Sequence, residues 1–502
     1  MMELIGNLAK KTCKTYASKV AVISEERSLT YQELYERSVK LANALLEKGL
    51  VKGDRIAILS SNRLECIEMD VAVALAGLVK VPLNYRLHHK EHKFIIEQSA
   101  SLLLIGEKEL IEPINSKIDT IYFGDEYENL LFNSTNHEVD IDINEDDLFT
   151  ILYTSGTTGH PKGVMLSHRN YISAVLSLII FCEINNEDII GHVAPLTHGS
   201  NLLVHCALML GAKQVVFNKF NPNEFIYDIH EHAISVIFLV PTMVNMMIHD
   251  PSFDPKLLAS LKSISMAGSP IAEEKLKKAL ELLGPIFVET YGQTEAPSTV
   301  TCMPRHELLK RPLSCGITSP FVEMKIVDEN GNERKQGEVG EVICRGSLVM
   351  KGYWNNEKAT NETIKNNWLY TGDLGWVDKE GYLFLVDRKK DVIISGGANI
   401  YPREVEEVLN THPAVKETCV FGIPNELWGE SVFAHVVLQE GKLTNEEELI
   451  GLCKNELASY KKPAGIVFVQ ELPKNSYGKI LKKELRDQYS KAIILNQLKG
   501  GN

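Results

Sequence analysis

Hydrophobic and polar positions alternate along the chain between two rhythms, and the change of rhythm is what predicts its architecture. Leu34, Ser38, Leu41 and Leu45 fall on one helical face. That face begins after Thr30-Tyr-Gln-Glu33, a capping-box pattern, and stops at Gly49. Residues 55–60 then form a nearly continuous apolar run that predicts a buried strand, 64–77 predict a helix and 79–83 a further strand. Buried strands separated by helices predict βαβ units and a parallel sheet covered on both faces. The acidic, weakly patterned residues 136–147 predict an exposed connection, after which strand-like runs recur at 214–217, 235–240, 263–266 and 286–289. Between 322 and 385 the runs shorten and are punctuated by Gly331 and Gly381, predicting a small antiparallel region. Beyond it come a helix opened by Pro402, strands at 418–423, 433–438 and 465–469, and a helix with a capping box at Thr444-Asn-Glu-Glu447.

A chain of 502 residues predicts at least two domains, and the change of pattern places the boundary between 1–389 and 390–502. The formal charge of −13 leaves no excess of cations for a nucleic-acid backbone, so any anionic ligand must be held by local groups. Nine scattered cysteines without a Cys-x-x-Cys pair argue against a disulfide framework or a structural zinc site and fit a reducing cytoplasm. Residues 1–30 carry charges throughout and lack the pattern of a signal peptide. The most apolar windows, 171–182 and 233–248, are too short or too interrupted for a membrane span, so no integral membrane segment is expected.

Tyr153-Thr-Ser-Gly-Thr-Thr-Gly-His-Pro-Lys162-Gly-Val164 carries the chemistry. An apolar strand leads into a stretch where Gly156, Gly159 and Gly163 would let backbone N–H groups converge, with the hydroxyls of Thr154, Ser155, Thr157 and Thr158 among them and Lys162 as a cation. Such a loop suits phosphate, yet it is not a Walker A motif, because Pro161 intrudes and Gly163 follows the lysine. The twelve residues resemble the phosphate loop of the adenylate-forming superfamily, in its AMP-forming acyl-CoA synthetase branch. The resemblance implies an α/β fold: a large N-terminal AMP-binding domain of doubly wound parallel sheets with a small antiparallel barrel region, and a mobile C-terminal α+β domain.

Four further segments match that superfamily in order, and the resemblance covers nearly the whole chain, from about residue 20 to 490. In Thr290-Tyr-Gly-Gln-Thr-Glu295 the resemblance implies that Tyr291 stacks on adenine beside Gly292, Thr294 meets the α-phosphate and Glu295 ligates Mg²⁺. In Tyr370-Thr-Gly-Asp373 the aspartate would accept from the ribose hydroxyls, and in Asp387-Arg-Lys-Lys-Asp391 Arg388 would contact the ribose while Lys390 marks the hinge. Lys479, in Leu472-Pro-Lys-Asn-Ser-Tyr-Gly-Lys479, matches the lysine that stabilises charge at the α-phosphate, with Ser476 where the family usually has threonine. Gly268 also matches the nucleotide site. The implied catalytic set is Lys479, Thr154, Glu295 and His198, using ATP, Mg²⁺ and coenzyme A.

The acid is less specified. Amino-acid-activating relatives place an aspartate in the segment corresponding to Ala194-Pro-Leu-Thr-His-Gly-Ser200, and none stands there. His198, Met243, Ser269 and Gly292 are the expected acyl wall, mostly small or apolar, which favours a fatty or aryl carboxylic acid. Gly397 and Trp428 are expected on the coenzyme A side, where Gly422-Ile-Pro-Asn-Glu-Leu-Trp-Gly-Glu430 and Tyr460-Lys-Lys-Pro463 resemble second-domain sequences of acyl-CoA ligases. A separate acyl carrier protein offers the same pantetheine thiol and stays open as the acceptor, as does a homodimer. A non-catalytic nucleotide sensor is the distant alternative, disfavoured because binding alone needs no Lys479.

Overall fold

The computed structural model describes residues 4–25, 27–154, 161–268, 271, 273–474 and 480–486. By its internal contacts the chain divides into two compact units, one of residues 1–270, 277–324 and 343–370, the other of 271–276, 325–342 and 371–502.

Among the described residues the first unit contains two sheets. One has seven strands in the order Gly352–Tyr353, Lys162–Ser167, Leu148–Thr154, Val79–Asn84, Arg55–Ser60, Leu103–Gly106, Asp119–Tyr122. Its last five strands are parallel, and the βαβ reading of residues 55–83 is borne out: Arg55 to Ser60 pair in register with Val79 to Asn84 around the Leu64–Ala76 helix, which Gly77 ends at φ +64°. The Thr30 capping box is present and Leu34, Ser38, Leu41 and Leu45 are buried, as their spacing predicts. The second sheet orders nine strands, and its centre is the parallel set Phe287–Gln293, Ser263–Met266, Val236–Leu239, Ile189–His192, Lys213–Val216, Val20–Ser24. Alternating strands and helices buried on both sides thus produce the doubly wound parallel sheets.

Residues 171–182 belong to the mostly buried His168–Cys182 helix, whereas 233–248 split into the Val236–Leu239 strand and the Pro241–Ile248 helix at the proline that interrupts them. Among the described residues no helix is long and apolar enough to cross a membrane.

In the second unit residues 373–377 of the Trp368–Val377 strand pair antiparallel with the Leu383–Arg388 strand, Val377 opposite Leu383 and Asp373 opposite Arg388. A further sheet pairs Val415–Asn425 with Gly429–Leu438 along their length, adds Gly465–Phe468 in parallel, and packs Ile393, Val405, Leu409, Val420, Ala434 and Leu449 into one core with the Pro402–Asn410 and Glu446–Glu456 helices. The last helix corrects one expectation: its cap is Asn445, which accepts from Glu448 N–H, and not Thr444, whose hydroxyl donates to the Glu448 carboxylate. Asn serves as well as Thr at this position, so the start shifts by one residue.

Candidate active site

The phosphate-loop motif is the mouth of a β-hairpin. Leu148–Thr154 and Lys162–Ser167 pair antiparallel, and their outermost pair is Thr154 with Lys162, so these two residues face each other where the strands part. Ser155, Gly156, Thr157, Thr158 and Gly159, between them, lie outside the described residues. Gly163 belongs to the Lys162–Ser167 strand. It sits within the strand opposite Tyr153, and a β-carbon there would come within 2.8 Å of Ile151 Cγ2 and 3.0 Å of the Tyr153 ring, so close packing explains it.

A short strand, Gly352–Tyr353, lies against this hairpin with Tyr353 opposite Val164. Its neighbours are pinned as well: Trp354 N–H donates to Gly163 O at 2.7 Å and Lys351 N–H to Met165 O at 2.9 Å. Tyr353 is 6 % exposed. The Lys162 ammonium stands 4.9 Å from the centre of its ring, and its hydroxyl donates to Glu295 Oε1 at 2.7 Å. Burial, and then the Glu295 charge, push the phenol far above its usual pKa, so it stays a donor to the carboxylate.

Glu295 reaches this point because Thr290-Tyr-Gly-Gln-Thr-Glu295 is itself a hairpin. The strand runs on to Gln293, Gln293 pairs with Ala296, and Thr294 and Glu295 form the two-residue tip. Gly292 is required by close approach, since a β-carbon would lie 2.6 Å from Ala296 O and Ser298 N. Met350 N–H donates to Glu295 O at 2.9 Å, tying the tip to the segment before Tyr353. Lys162 and Glu295 are thus linked through the Tyr353 side chain, although 58 residues separate Glu295 from Tyr353.

The remaining expected residues of this unit lie at the carboxyl ends of four adjacent parallel strands, the edge where open α/β sheets bind ligands. Ile189–His192 leads to His198, Val236–Leu239 to Met243, Ser263–Met266 to Gly268, and Phe287–Gln293 carries Tyr291, which is 8 % exposed. Ser269 lies outside the described residues. Gly199 comes close to Ser298 Oγ and Phe238, which brings the His198 segment beside the Glu295 hairpin. His198 Nδ1 is 3.0 Å from the Thr197 hydroxyl, and burial pushes its imidazole down to about 4. It is therefore neutral near pH 7, and its ring can take part in hydrogen bonds without carrying a charge.

Beneath that segment is a buried polar network which sequence patterns did not indicate. Lys80 donates to Asp70 and, at 2.8 Å, to Asn201 Oδ1; Asn201 Nδ2 donates to Asp70 Oδ2 at 2.6 Å, and His205 Nε2 is 3.3 Å from the same oxygen. Burial opposes the Asp70 charge, but Lys80 and then His205 overcome it and hold the carboxyl well below the usual range. Asn62 braces the loop above, accepting from Leu196 N–H at 2.9 Å and donating to Ala194 O at 2.9 Å.

In the second unit the cross-strand pair Asp373 and Arg388 form an ion pair, Arg388 Nε to Asp373 Oδ1 at 2.8 Å. Lys390 is exposed in a single 3₁₀ turn, Lys389–Asp391, just beyond the strand. Asp387 links the chain on both sides of that turn, accepting from Arg388 N–H at 2.7 Å and from Arg403 N–H at 2.9 Å. Gly396 and Gly397 have φ of +57° and +81°, and the Trp428 ring packs against Gly396. Trp428 is 55 % exposed and Leu427 78 %. Lys479 lies outside the described residues. Tyr353 and Asp387 were not singled out as site residues by motif reading. The only available signal was an aromatic pair after Gly352, and its partners are set by strand pairing far along the chain.

Residues 9–354 match the family model for AMP-binding enzymes, and residues 404–479 that for the AMP-binding enzyme C-terminal domain. Feruloyl-CoA synthase of an Amycolatopsis species is 34 % identical over 491 residues, covering 97 % of this chain and 99 % of that protein. The fatty acid–[acyl-carrier-protein] ligase ScoC of Streptomyces coeruleorubidus is also 34 % identical, covering 93 % of each chain. Among solved structures, O-succinylbenzoate coenzyme A synthetase of Bacillus subtilis in complex with ATP and magnesium ion matches with a TM-score of 0.86 at 32 % identity, covering 95 % of this chain and 99 % of that one. The chain belongs to the AMP-binding enzyme family, among its AMP-forming acyl-CoA synthetases, which use ATP, Mg²⁺ and coenzyme A.

Proposed function

We propose that the protein activates an apolar carboxylic acid, fatty or aryl, to its acyl-adenylate and transfers the acyl group to the thiol of coenzyme A. The observation that carries the reading is the arrangement around Tyr353, whose hydroxyl donates to Glu295 and whose ring faces the Lys162 ammonium, with Thr154 paired opposite Lys162 across the hairpin. In the first half-reaction the substrate carboxylate attacks the α-phosphorus and pyrophosphate leaves. Lys162 and the loop it closes hold the leaving phosphates, Thr154 and Thr294 donate to phosphate oxygens, and Tyr291 packs on the adenine. Asp373 and Arg388 exchange their mutual pairing for the ribose hydroxyls. Lys479 places its ammonium where charge develops at the α-phosphate.

The donor set fits Mg²⁺. Among the described residues no three His, Cys, Asp or Glu side chains converge on one point, and Glu295 supplies the single carboxylate that Mg²⁺ takes alongside phosphate and water oxygens. When bound, Mg²⁺ neutralises phosphate charge on the leaving group.

The absence of a carboxylate in the Ala194-to-Ser200 segment, with His198 neutral, supports an acid that has no ammonium to pair. The domain boundary is proposed at 389/390, with Lys390 as the hinge and Gly397 and Trp428 meeting the pantetheine arm of the acceptor. The match to the carrier-protein ligase keeps a carrier-bound pantetheine as the second reading. Incubation with ATP, a panel of fatty and aryl acids, and either coenzyme A or a phosphopantetheinylated carrier protein, read by product mass, tests both. Acyl-CoA is the expected product, and acyl-carrier alone would favour the second reading.

A further inference from the structure

We propose that Tyr353 is a positioning residue for the adenylation half-reaction, presenting Glu295 to Mg²⁺ and Lys162 to the leaving phosphates from one side chain. The proposal rests on the reading of Glu295 as the metal ligand given above.

Both ends of Tyr353 are occupied by groups of that site. Its hydroxyl donates to Glu295 Oε1 at 2.7 Å, and the Lys162 ammonium lies 4.9 Å from the ring centre. A carboxylate has two acceptor oxygens, and engaging Oε1 with a phenol fixes the side-chain torsion while leaving Oε2 for a second partner. The ring supplies the ammonium with a weakly attractive face that a phosphate oxygen can outcompete, because a cation–π contact at a partly exposed site is weaker than a charge-assisted hydrogen bond. One neutral aromatic therefore contacts both an anion and a cation, each needed for a different part of Mg·ATP.

The backbone gives Tyr353 the rigidity this task demands. It is paired with Val164 across the strand, its N–H donates to Thr360 Oγ1 at 2.9 Å, and the segment on either side is bonded to Gly163, Met165 and Glu295. A merely structural tyrosine would need its ring buried, which phenylalanine satisfies equally. Positioning requires the hydroxyl.

The test uses the full chain in Tyr353→Phe, Tyr353→Leu and Glu295→Gln forms, with α,β-methylene-ATP, which cannot release pyrophosphate. Mn²⁺ binding to the nucleotide complex is followed by electron paramagnetic resonance, and AMP affinity and thermal midpoint are measured alongside. Tyr353→Phe should weaken Mn²⁺ about tenfold, the order expected for loss of one hydrogen bond to a charged group. It should leave AMP affinity within about twofold and the midpoint near wild type. Tyr353→Leu should in addition weaken metal-free α,β-methylene-ATP several-fold through Lys162. Wild-type Mn²⁺ affinity in Tyr353→Phe, with Glu295→Gln impaired, would overturn the role of Tyr353. Unimpaired Mn²⁺ binding in Glu295→Gln would overturn the reading of Glu295, and the proposal with it.

Discussion

Substituting Lys80 by Met should destabilise the first unit severely, and the size of the effect follows from what would be left behind. The Lys80 and Asp70 side chains are 3 % and 4 % exposed. The ammonium also faces the Phe149 and Tyr171 rings at 4.7 and 5.5 Å, so water cannot replace it. At an effective dielectric of about 20, opposite charges at this separation attract by roughly 6 kcal/mol. Removing the ammonium also removes its own desolvation cost, so the net penalty is about 3–5 kcal/mol, the usual range for orphaning one partner of a buried pair. Asn201 Nδ2 and His205 remain near Asp70, which favours the lower half of that range. For a unit of this size each kcal/mol corresponds to roughly 1.5 °C, so scanning calorimetry at pH 7.5 should show the midpoint fall by about 5 °C. The double variant Lys80→Met/Asp70→Asn should recover most of the loss, because no charge is then stranded. A single variant within about 1 °C of wild type, or a double variant as unstable as the single, would refute the reasoning.

Lys479→Ala should remove most ATP–pyrophosphate exchange while leaving thioester formation from a supplied acyl-adenylate largely intact, as read by stopped-time assays of each half-reaction; equal losses would contradict its assignment to the first half. Stability should fall on acidification from about pH 6.5 to about pH 4. His168, His192 and His198 are each pushed down to about 4 by burial, whereas in the unfolded chain they titrate near 6.5. Within that window the unfolded chain binds protons that the folded one does not, so each histidine contributes a slope of at most about 1.4 kcal/mol per pH unit. Thermal midpoints that stay level from pH 7 to 5 would count against it. Of nine free cysteines only Cys66 is not fully buried, and burial pushes its thiol up to about 12. The native protein should therefore show no rapid reaction with a thiol-specific disulfide reagent, while the denatured chain titrates nine thiols; several fast thiols in the native state would contradict the packing.

Local features were legible and long-range pairings were not. Thr30 with Glu33 announces a helix start because its partners lie within one turn, and the alternation from residue 55 to 83 specifies a parallel sheet because each strand must be buried on both faces. The same reading picked out Thr154, Lys162 and Glu295 by motif but could not show that two hairpins present them, since Gly163 and Gly292 are called for by close packing against the partner strand of each hairpin. Tyr353 escaped because nothing local distinguishes it from a core aromatic. Asp70 and Lys80 escaped for the opposite reason: each interrupts an apolar run, and only the fold shows them cancelling each other.

The account centres on acid-dependent cleavage of ATP between its α- and β-phosphates. ATP–pyrophosphate exchange with the purified protein and Mg²⁺, across fatty and aryl acids and an amino-acid control, tests it most directly. Exchange should appear with one or more apolar acids, need no coenzyme A, and be absent with amino acids. Nucleotide binding without exchange for any acid would contradict the enzyme reading in favour of a sensor, and exchange driven by an amino acid would contradict the chemistry assigned to the acyl wall.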